Sequence, residues 1–261
     1  MTGHIVTAHG YAMRILFSRS LYCMAIAWAM LLSVTSSPAH AAERSFSTGN
    51  FTAIRIVGDM DIRIVSGPRK QVVATGSHVV LSRFSVRTSG RVLTVIMRQA
   101  RTASDEEPPL LQITAPEVTA ISYQGNGFVD IEQLVGRNVR LSLIGAASGR
   151  VRMVAARSLL TSMTSSGSLV LEGAADRHDI AIGGYGNVDA VGMQAENVNI
   201  VAEGTVELVI HARDSATGLA SEGAKVTIVG GADCDAILIA GSELVDTEVL
   251  CGEDAIAEDE P

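Results

Sequence analysis

The side chains best suited to catalysis in this chain are its histidines, one of which stands beside a carboxylate. His178 directly precedes Asp179, and serines are frequent elsewhere, so the components of a Ser-His-Asp site are present. Adjacent residues of a strand point to opposite faces, however, so Asp179 would not orient the His178 ring. We therefore interpret His178 as a surface turn residue and predict no catalytic site. The glycine run at 183–186 opens no helix, so no phosphate-binding loop or other cofactor site is predicted either.

Carboxylates recur at outward positions and could bind a cation. Three residues after each of several regularly spaced glycines stand Asp130, Arg152, Val170, Asp189 and Glu207. This alignment makes Asp189 and Glu207 stacked neighbours, and like charges on adjacent strands repel unless a cation or an arginine lies between them. A calcium ion needs 6–8 oxygen ligands, so two carboxylates are too few. We interpret the two residues as a surface acidic pair on a solvated face and predict no metal site.

The glycines that set this alignment recur through the second half of the chain. The intervals between them are 22, 18, 19, 18, 19 and 18 residues, a period typical of stacked repeats. They are Gly127, Gly149, Gly167, Gly186, Gly204, Gly223 and Gly241. Hydrophobic residues alternate with polar ones on both sides of the glycines, which indicates strands.

The hydrophobic positions after the glycines form two predicted inward rows. The first row is Val129, Val151, Leu169, Val188, Val206, Val226 and Leu244. The second row is Ile131, Met153, Leu171, Ala190, Leu208 and Ile228. If the repeats stack as coils, these residues form internal ladders about 4.8 Å apart, with glycine at a corner that disfavours a Cβ atom. We therefore predict an all-β, single-domain β-solenoid (β-helix-like) of about 20-residue coils rather than hairpins, since most repeats lack an Asn-Gly turn.

Two cysteines follow at the spacing of one coil. Cys234 and Cys251 are 17 residues apart, and residues one coil apart lie within the Cα separation that a disulfide allows. An even pair of cysteines in an exported chain favours a bridge between the last two coils. The alternative is two reduced cysteines that fill space in the core.

The ends of the chain differ from the repeats. Residues 1–41 contain two arginines, an apolar stretch and an Ala-His-Ala site, which is the pattern of a cleaved signal peptide. Residues 42–117 contain less regular strands, which we interpret as the first coils with an irregular β cap of hairpins over one end of the solenoid. Residues 118–251 are the regular coils, and residues 252–261 form an acidic tail.

Charge limits the partners that this chain could bind. The formal net charge of −8 becomes −10 on removal of residues 1–41, which carry two arginines and no acidic residue. Nucleic-acid binding needs clustered Lys and Arg, so no nucleic acid is expected as a partner. No second long apolar stretch follows residue 41, so we predict no membrane span in the mature chain.

One known family shows the same order of segments. The segments FTAIRIVGDMDIRIVSGPRKQVVATG at 51–76, GRVLTVIM at 90–97 and LLQITAPEVTAISYQGNGFVDI at 110–131 are followed by glycine coils. Together they resemble the head GIN domain family of auto-transporter adhesins. The resemblance spans about 50–245 and implies an exported β-solenoid.

Three classes of function are compatible with these features. We favour an exported, non-catalytic binding module in the periplasm or at the cell surface. It would contact an envelope protein or a glycan, or associate with itself through the faces or ends of the solenoid. The alternative is a glycan-active β-helix enzyme, a lyase or hydrolase, which needs clustered carboxylates and usually aromatic residues that stack on sugars. The third class is a purely structural envelope protein.

Overall fold

The computed structural model describes residues 42–99, 107–221, 223–240 and 248–252. About 75% of it is strand, and no described helix reaches seven residues. The short helix α1 (His78–Leu81) interrupts the N-terminal strands. The predicted signal peptide at 1–41, Gly241, Leu244 and the acidic tail from residue 253 onwards lie outside the described residues.

The strands differ in length between the two halves of the chain. The N-terminal strands have five or six residues, whereas β11–β14 have 15–19 residues and run around most of a coil. The strands are β1 (Ala42–Phe46), β2 (Ala53–Val57), β3 (Asp61–Ser66), β4 (Gln71–Gly76), β5 (Phe84–Ser89), β6 (Val92–Met97), β7 (Leu110–Ala115), β8 (Ala120–Gln124), β9 (Gly127–Ile131), β10 (Leu134–Gly145), β11 (Ala147–Ser165), β12 (Ser168–Gly184), β13 (Asn187–Gly204), β14 (Glu207–Ser221), β15 (Lys225–Val229), β16 (Asp233–Ala240) and β17 (Glu248–Gly252).

The chain winds as a β-solenoid of about six turns, which confirms the predicted fold. Its rungs pair in parallel and form two long ladders. Ladder A contains, in order, β7, β3, β9, the first segments of β11–β14, β15 and β17. Ladder B contains β6, β2, β8, β10, the last segments of β11–β14 and β16. The long strands bend between the ladders, where their register shifts.

The alternation of hydrophobic residues fills the interior, as the sequence predicts. Leu169 and Leu171 of ladder A are each 1% exposed. In ladder B, Leu143, Met163, Ile182 and Ala202 stack on successive rungs and are buried. Burying a side chain the size of leucine contributes roughly 1.5–3 kcal/mol, and each coil repeats this contribution.

The corners of the coils contain two rows of small residues, which the sequence alignment merged into one. The first row is Gly125, Gly145, Ser165, Gly184 and Gly204, and the second is Gly127, Ala147, Gly167, Gly186 and Val206. The predicted alignment is therefore wrong by two residues at Gly149 and at Gly204. As a result, Leu208 stacks on Val188 instead of Ala190. Met153 is 45% exposed instead of buried for a different reason, because the strand register shifts between Val151 and Val154.

Glycine is required at only part of each corner, which explains this error. Gly204 has a φ of +92°, and a Cβ atom there would lie 2.5 Å from the carbonyl oxygen of Gly184 on the preceding coil. In the second corner row, alanine and valine occupy two of the rungs. The spacing of glycines alone therefore does not determine which residues stack.

At the N-terminal end, the order of the rungs differs from the order of the chain. β2 lies between β6 and β8, and β3 lies between β7 and β9, so the first coil of the chain is inside the stack. The antiparallel strands β4 and β5 pair with β7 and β6, and β1 pairs with β4. Antiparallel strands therefore add to the outermost coil at this end, where Phe46 and Phe84 pack with ring centroids 6.3 Å apart.

Candidate functional site

His178 lies in the core, so its interpretation as a surface turn residue is wrong. It stands in ladder B between Leu159 and Val198 and is fully buried. Asp179 does point to the opposite face, where Arg177 Nε donates to both of its carboxylate oxygens at 3.1 Å. The sequence did carry a signal for the buried histidine, because residue 178 continues the alternation of Ile180 and Ile182.

The surroundings of His178 are enclosed and nearly apolar. Its Nε2 atom lies 3.0 Å from the hydroxyl oxygen of Thr161, which is also buried. Its Nδ1 atom makes no hydrogen bond within the described part of the chain. Burial lowers the pKa of His178 from 6.5 to about 4, and the Asp179 carboxylate opposes this effect only in part. The ring is therefore neutral at pH 7 and too enclosed to contact a substrate.

This pKa predicts that stability depends on pH through His178. Between pH 6.5 and about 4, the unfolded chain binds a proton at this residue and the folded chain does not. The contribution of the neutral ring to the free energy of unfolding is therefore fully present above pH 6.5 and is lost as the pH falls towards 4. We expect a loss of about 3 kcal/mol over this range, measured by urea unfolding at a series of pH values.

A double variant, His178→Leu with Thr161→Val, is the matched control. Both positions lie in core rows of aliphatic residues, so the replacements should pack without leaving a buried hydroxyl unpaired. Between pH 6.5 and 4, the free energy of unfolding of this variant should then fall less than that of the unmodified protein, by the amount that His178 contributes. An unchanged slope in the variant would assign the pH dependence to other groups.

The predicted acidic pair is not a stacked pair, because the register differs from the alignment by two residues at Glu207. Glu207 stacks on Asn187, whose side-chain amide donates to Glu207 Oε2 at 3.1 Å. Asp189 stacks on Val209, and its Oδ1 accepts a hydrogen bond from the backbone of Val191 at 3.2 Å. The two carboxylates therefore have separate partners in ladder A.

Asp130, another outward carboxylate of ladder A, lies between two arginines. Arg152 Nη2 donates to both carboxylate oxygens, at 2.8 and 3.0 Å, and Arg63 Nε lies 3.7 Å away. The Asp130 side chain is only 17% exposed, whereas both arginines are more than half exposed. The two arginines compensate the negative charge of the Asp130 carboxylate, which makes it a poor ligand for a cation.

Cys234 and Cys251 form the predicted disulfide. Their Cα atoms are 6.6 Å apart, and the bridge links β16 to β17. β16 is a rung of ladder B and β17 is the following rung of ladder A, so the bridge joins the last two coils among the described residues.

A groove on the outside of ladder B, lined mainly by residues with polar side chains, was not predicted from the sequence. We call it the ladder B groove, and it has a volume of about 490 Å³. It is lined by Arg157, Ser158, Asp176, Arg177, Asn197, Val198, Asn199, Ser215 and Thr217. Ser158, Arg177, Asn197 and Ser215 occupy consecutive rungs of β11–β14. The sequence signal is a polar residue at the same outward position in four successive coils, which becomes visible only with the correct register.

Charge in the ladder B groove is balanced. Arg157 at its edge lies 3.8 Å from Asp176, and Arg177 lies 3.1 Å from Asp179. The remaining polar lining is neutral amide and hydroxyl, and Ser215 Oγ donates to Asn197 Oδ1 at 2.8 Å. The groove therefore presents hydrogen-bonding groups without an excess of either charge.

Among the residues that the structure describes, no three or more His, Cys, Asp or Glu side chains are grouped so that they could hold a metal ion. Within the same residues, no helix has the length and hydropathy needed to cross a membrane.

Comparison with solved structures identifies the same fold in several proteins. A "putative adhesin" from Bacteroides fragilis matches with a TM-score of 0.72 and 17% identity, over 82% of this chain and 97% of the other. A second "putative adhesin", from Parabacteroides merdae, has a TM-score of 0.61 and 17% identity over the same shares of the two chains. A "putative lipid binding protein" from Parabacteroides distasonis has a TM-score of 0.59 and 16% identity, over 82% of this chain and 98% of the other. At these identities, the likeness establishes the fold alone.

Comparison of the sequence itself identifies the family. A search of the curated proteins finds no match. The family model described as "Putative auto-transporter adhesin, head GIN domain" matches residues 50–232, which is most of the chain and includes all residues that line the ladder B groove. The chain therefore belongs to the head GIN domain family.

Proposed function

We propose that this chain is an exported, non-catalytic binding module of the cell envelope or surface, and that the ladder B groove is its contact site. The observation that supports the proposal is the alignment of polar residues on four successive rungs, which creates a groove on an otherwise regular face. The adhesin description of the family agrees with a binding role. The pattern of a signal peptide at 1–41 supports export.

The chemistry of the groove favours binding over glycan cleavage. Hydrolysis of a glycosidic bond normally needs two carboxyl groups, one of which is protonated while the other is free to attack or to activate water. The carboxylates in and beside the groove, Asp176 and Asp179, are both paired with arginines. The described residues in and beside the groove therefore include no pair of carboxyl groups free of arginine partners.

Sedimentation with envelope particles of the native host tests this function. The full chain, purified from that host, should bind the particles saturably and release no soluble glycan fragments. The variant Asn197→Ala with Asn199→Ala should bind about thirtyfold more weakly, because each of the two lost hydrogen bonds weakens binding by about 1 kcal/mol.

The matched control is Ser122→Ala with Ser142→Ala. These two half-buried serines lie on the outward face of ladder B, on rungs outside the groove. The control variant should bind as the unmodified protein does. Equal binding by the groove variant, or no binding by the unmodified protein, would contradict the proposal.

A further inference from the structure

We propose that the ladder B groove binds a neutral oligosaccharide segment, which lies along the axis of the solenoid. This inference rests on the proposed function and adds the chemical class of the ligand. The shape of the groove, its hydrogen-bonding groups, its balanced charge and the absence of aromatic residues from its described lining support it.

The groove has the shape of a binding site for a narrow chain. Its lining residues come from four consecutive rungs, so it extends over three strand spacings, or roughly 14 Å along the axis. It is open to solvent rather than enclosed, which suits a short segment of a longer polymer. Because the rungs repeat, polar side chains recur along the groove at a regular interval.

The side chains of the groove retain hydrogen-bonding capacity. Asn197 uses its amide oxygen to accept from Ser215, and this leaves the two N–H donors of the same amide. The side chains of Asn199 and Ser158 make no hydrogen bond within the described residues. A side-chain amide presents a donor and an acceptor side by side, and adjacent hydroxyl groups on a sugar ring present the complementary pair.

The balanced charge of the ladder B groove disfavours strongly charged ligands. The two arginines at the groove are matched by Asp176 and Asp179, so the groove offers no excess positive charge to phosphate, sulfate or uronate groups. The whole chain has a formal net charge of −8, which further disfavours anionic polymers. A neutral polyhydroxylated chain meets no such penalty.

The lining also differs from that of a protein-binding surface. The energetic centres of protein interfaces are enriched in Trp, Tyr and Arg seated in well-packed pockets, with Met and Phe also enriched. No aromatic residue or methionine lines the ladder B groove, and its arginines are engaged in ion pairs. Recognition in the groove therefore depends on hydrogen bonds, as for a sugar chain.

Chemical treatment of the envelope particles distinguishes a carbohydrate ligand from a protein ligand. One sample is oxidised with periodate, which cleaves adjacent diols in sugars, and a second is digested with a broad-specificity protease. We expect periodate to reduce binding of the full chain at least tenfold and protease to leave it unchanged. A panel of neutral hexose oligosaccharides should compete for binding, and their sulfated counterparts should compete at least tenfold less well.

The groove variant and the serine control described above distinguish the outcomes. Asn197→Ala with Asn199→Ala should lose sensitivity to the competing oligosaccharides, whereas Ser122→Ala with Ser142→Ala should keep it. If protease abolishes binding and periodate does not, the groove binds a protein, so this inference fails while the proposed function stands. If the groove variant binds treated and untreated particles as the unmodified protein does, both proposals fail.

Discussion

Replacing Leu169 by Asp should lower the free energy of unfolding by several kcal/mol. Leu169 is 1% exposed and stands in ladder A between Gly149 and Val188. The substitution would place a carboxylate in this apolar row, where neither an ion-pair partner nor water can compensate for its desolvation. Urea unfolding at pH 7, followed by circular dichroism, would measure the loss.

The neighbouring substitution Ser168→Asp provides a matched control. Ser168 is exposed and stacks between Ser148 and Asn187, so a carboxylate there faces water. Its effect should remain within about 0.5 kcal/mol, as is usual for surface substitutions. Equal destabilisation by the two variants would contradict the inward orientation of Leu169.

Replacing both cysteines of the disulfide, with Cys234→Ser and Cys251→Ser, should lower the free energy of unfolding by about 3 kcal/mol. The bridge closes a loop with a sequence separation of 17 residues, and closing a loop of this size restricts the unfolded chain by about that amount. The effect should be concentrated at the C-terminal coils, because each coil of a solenoid contacts only its neighbours. Urea unfolding with and without reductant would measure it.

Reductant supplies the control for this second prediction. It should destabilise the unmodified protein to the level of the double variant, and it should not affect the double variant itself. A double variant as stable as the unmodified, oxidised protein would show that the bridge contributes nothing to stability.

The local pattern of the chain predicted the fold because each strand carries its own alternation. Leu169 and Leu171 could be assigned to the interior from four or five neighbouring residues, and stacking followed from the repeat. The disulfide was also predictable, since it depends only on the spacing of one coil. Predicting these features needs only an approximate alignment between coils, because an alignment error of two residues preserves the inward or outward orientation of a residue within a regular strand.

The finer contacts were less predictable because they depend on an accurate register. Ala147 and Val206 occupy corner positions where glycine was expected, so Glu207 was aligned with Asp189 instead of Asn187. His178 was missed for a different reason, since its polarity was given more weight than its place in the alternation. The ladder B groove combines residues from four coils, and no segment of the sequence contains it alone.

The inserted position of β2 and β3 in the stack has a consequence for how the chain folds. Both edges of this first coil are paired by segments that come later in the sequence, at 92–97 and 110–131. A chain that emerges from the ribosome N-terminus first therefore completes both edges of these strands only when residues 67–131 have followed β3. Coils from β10 onwards can add one at a time to a finished neighbour, whereas the N-terminal end must assemble from contacts distant in sequence, which is slow and exposes strand edges to aggregation. The nucleus of folding is thus expected at the N-terminal end, and chaperone dependence should be concentrated in the interval before residue 131 is available.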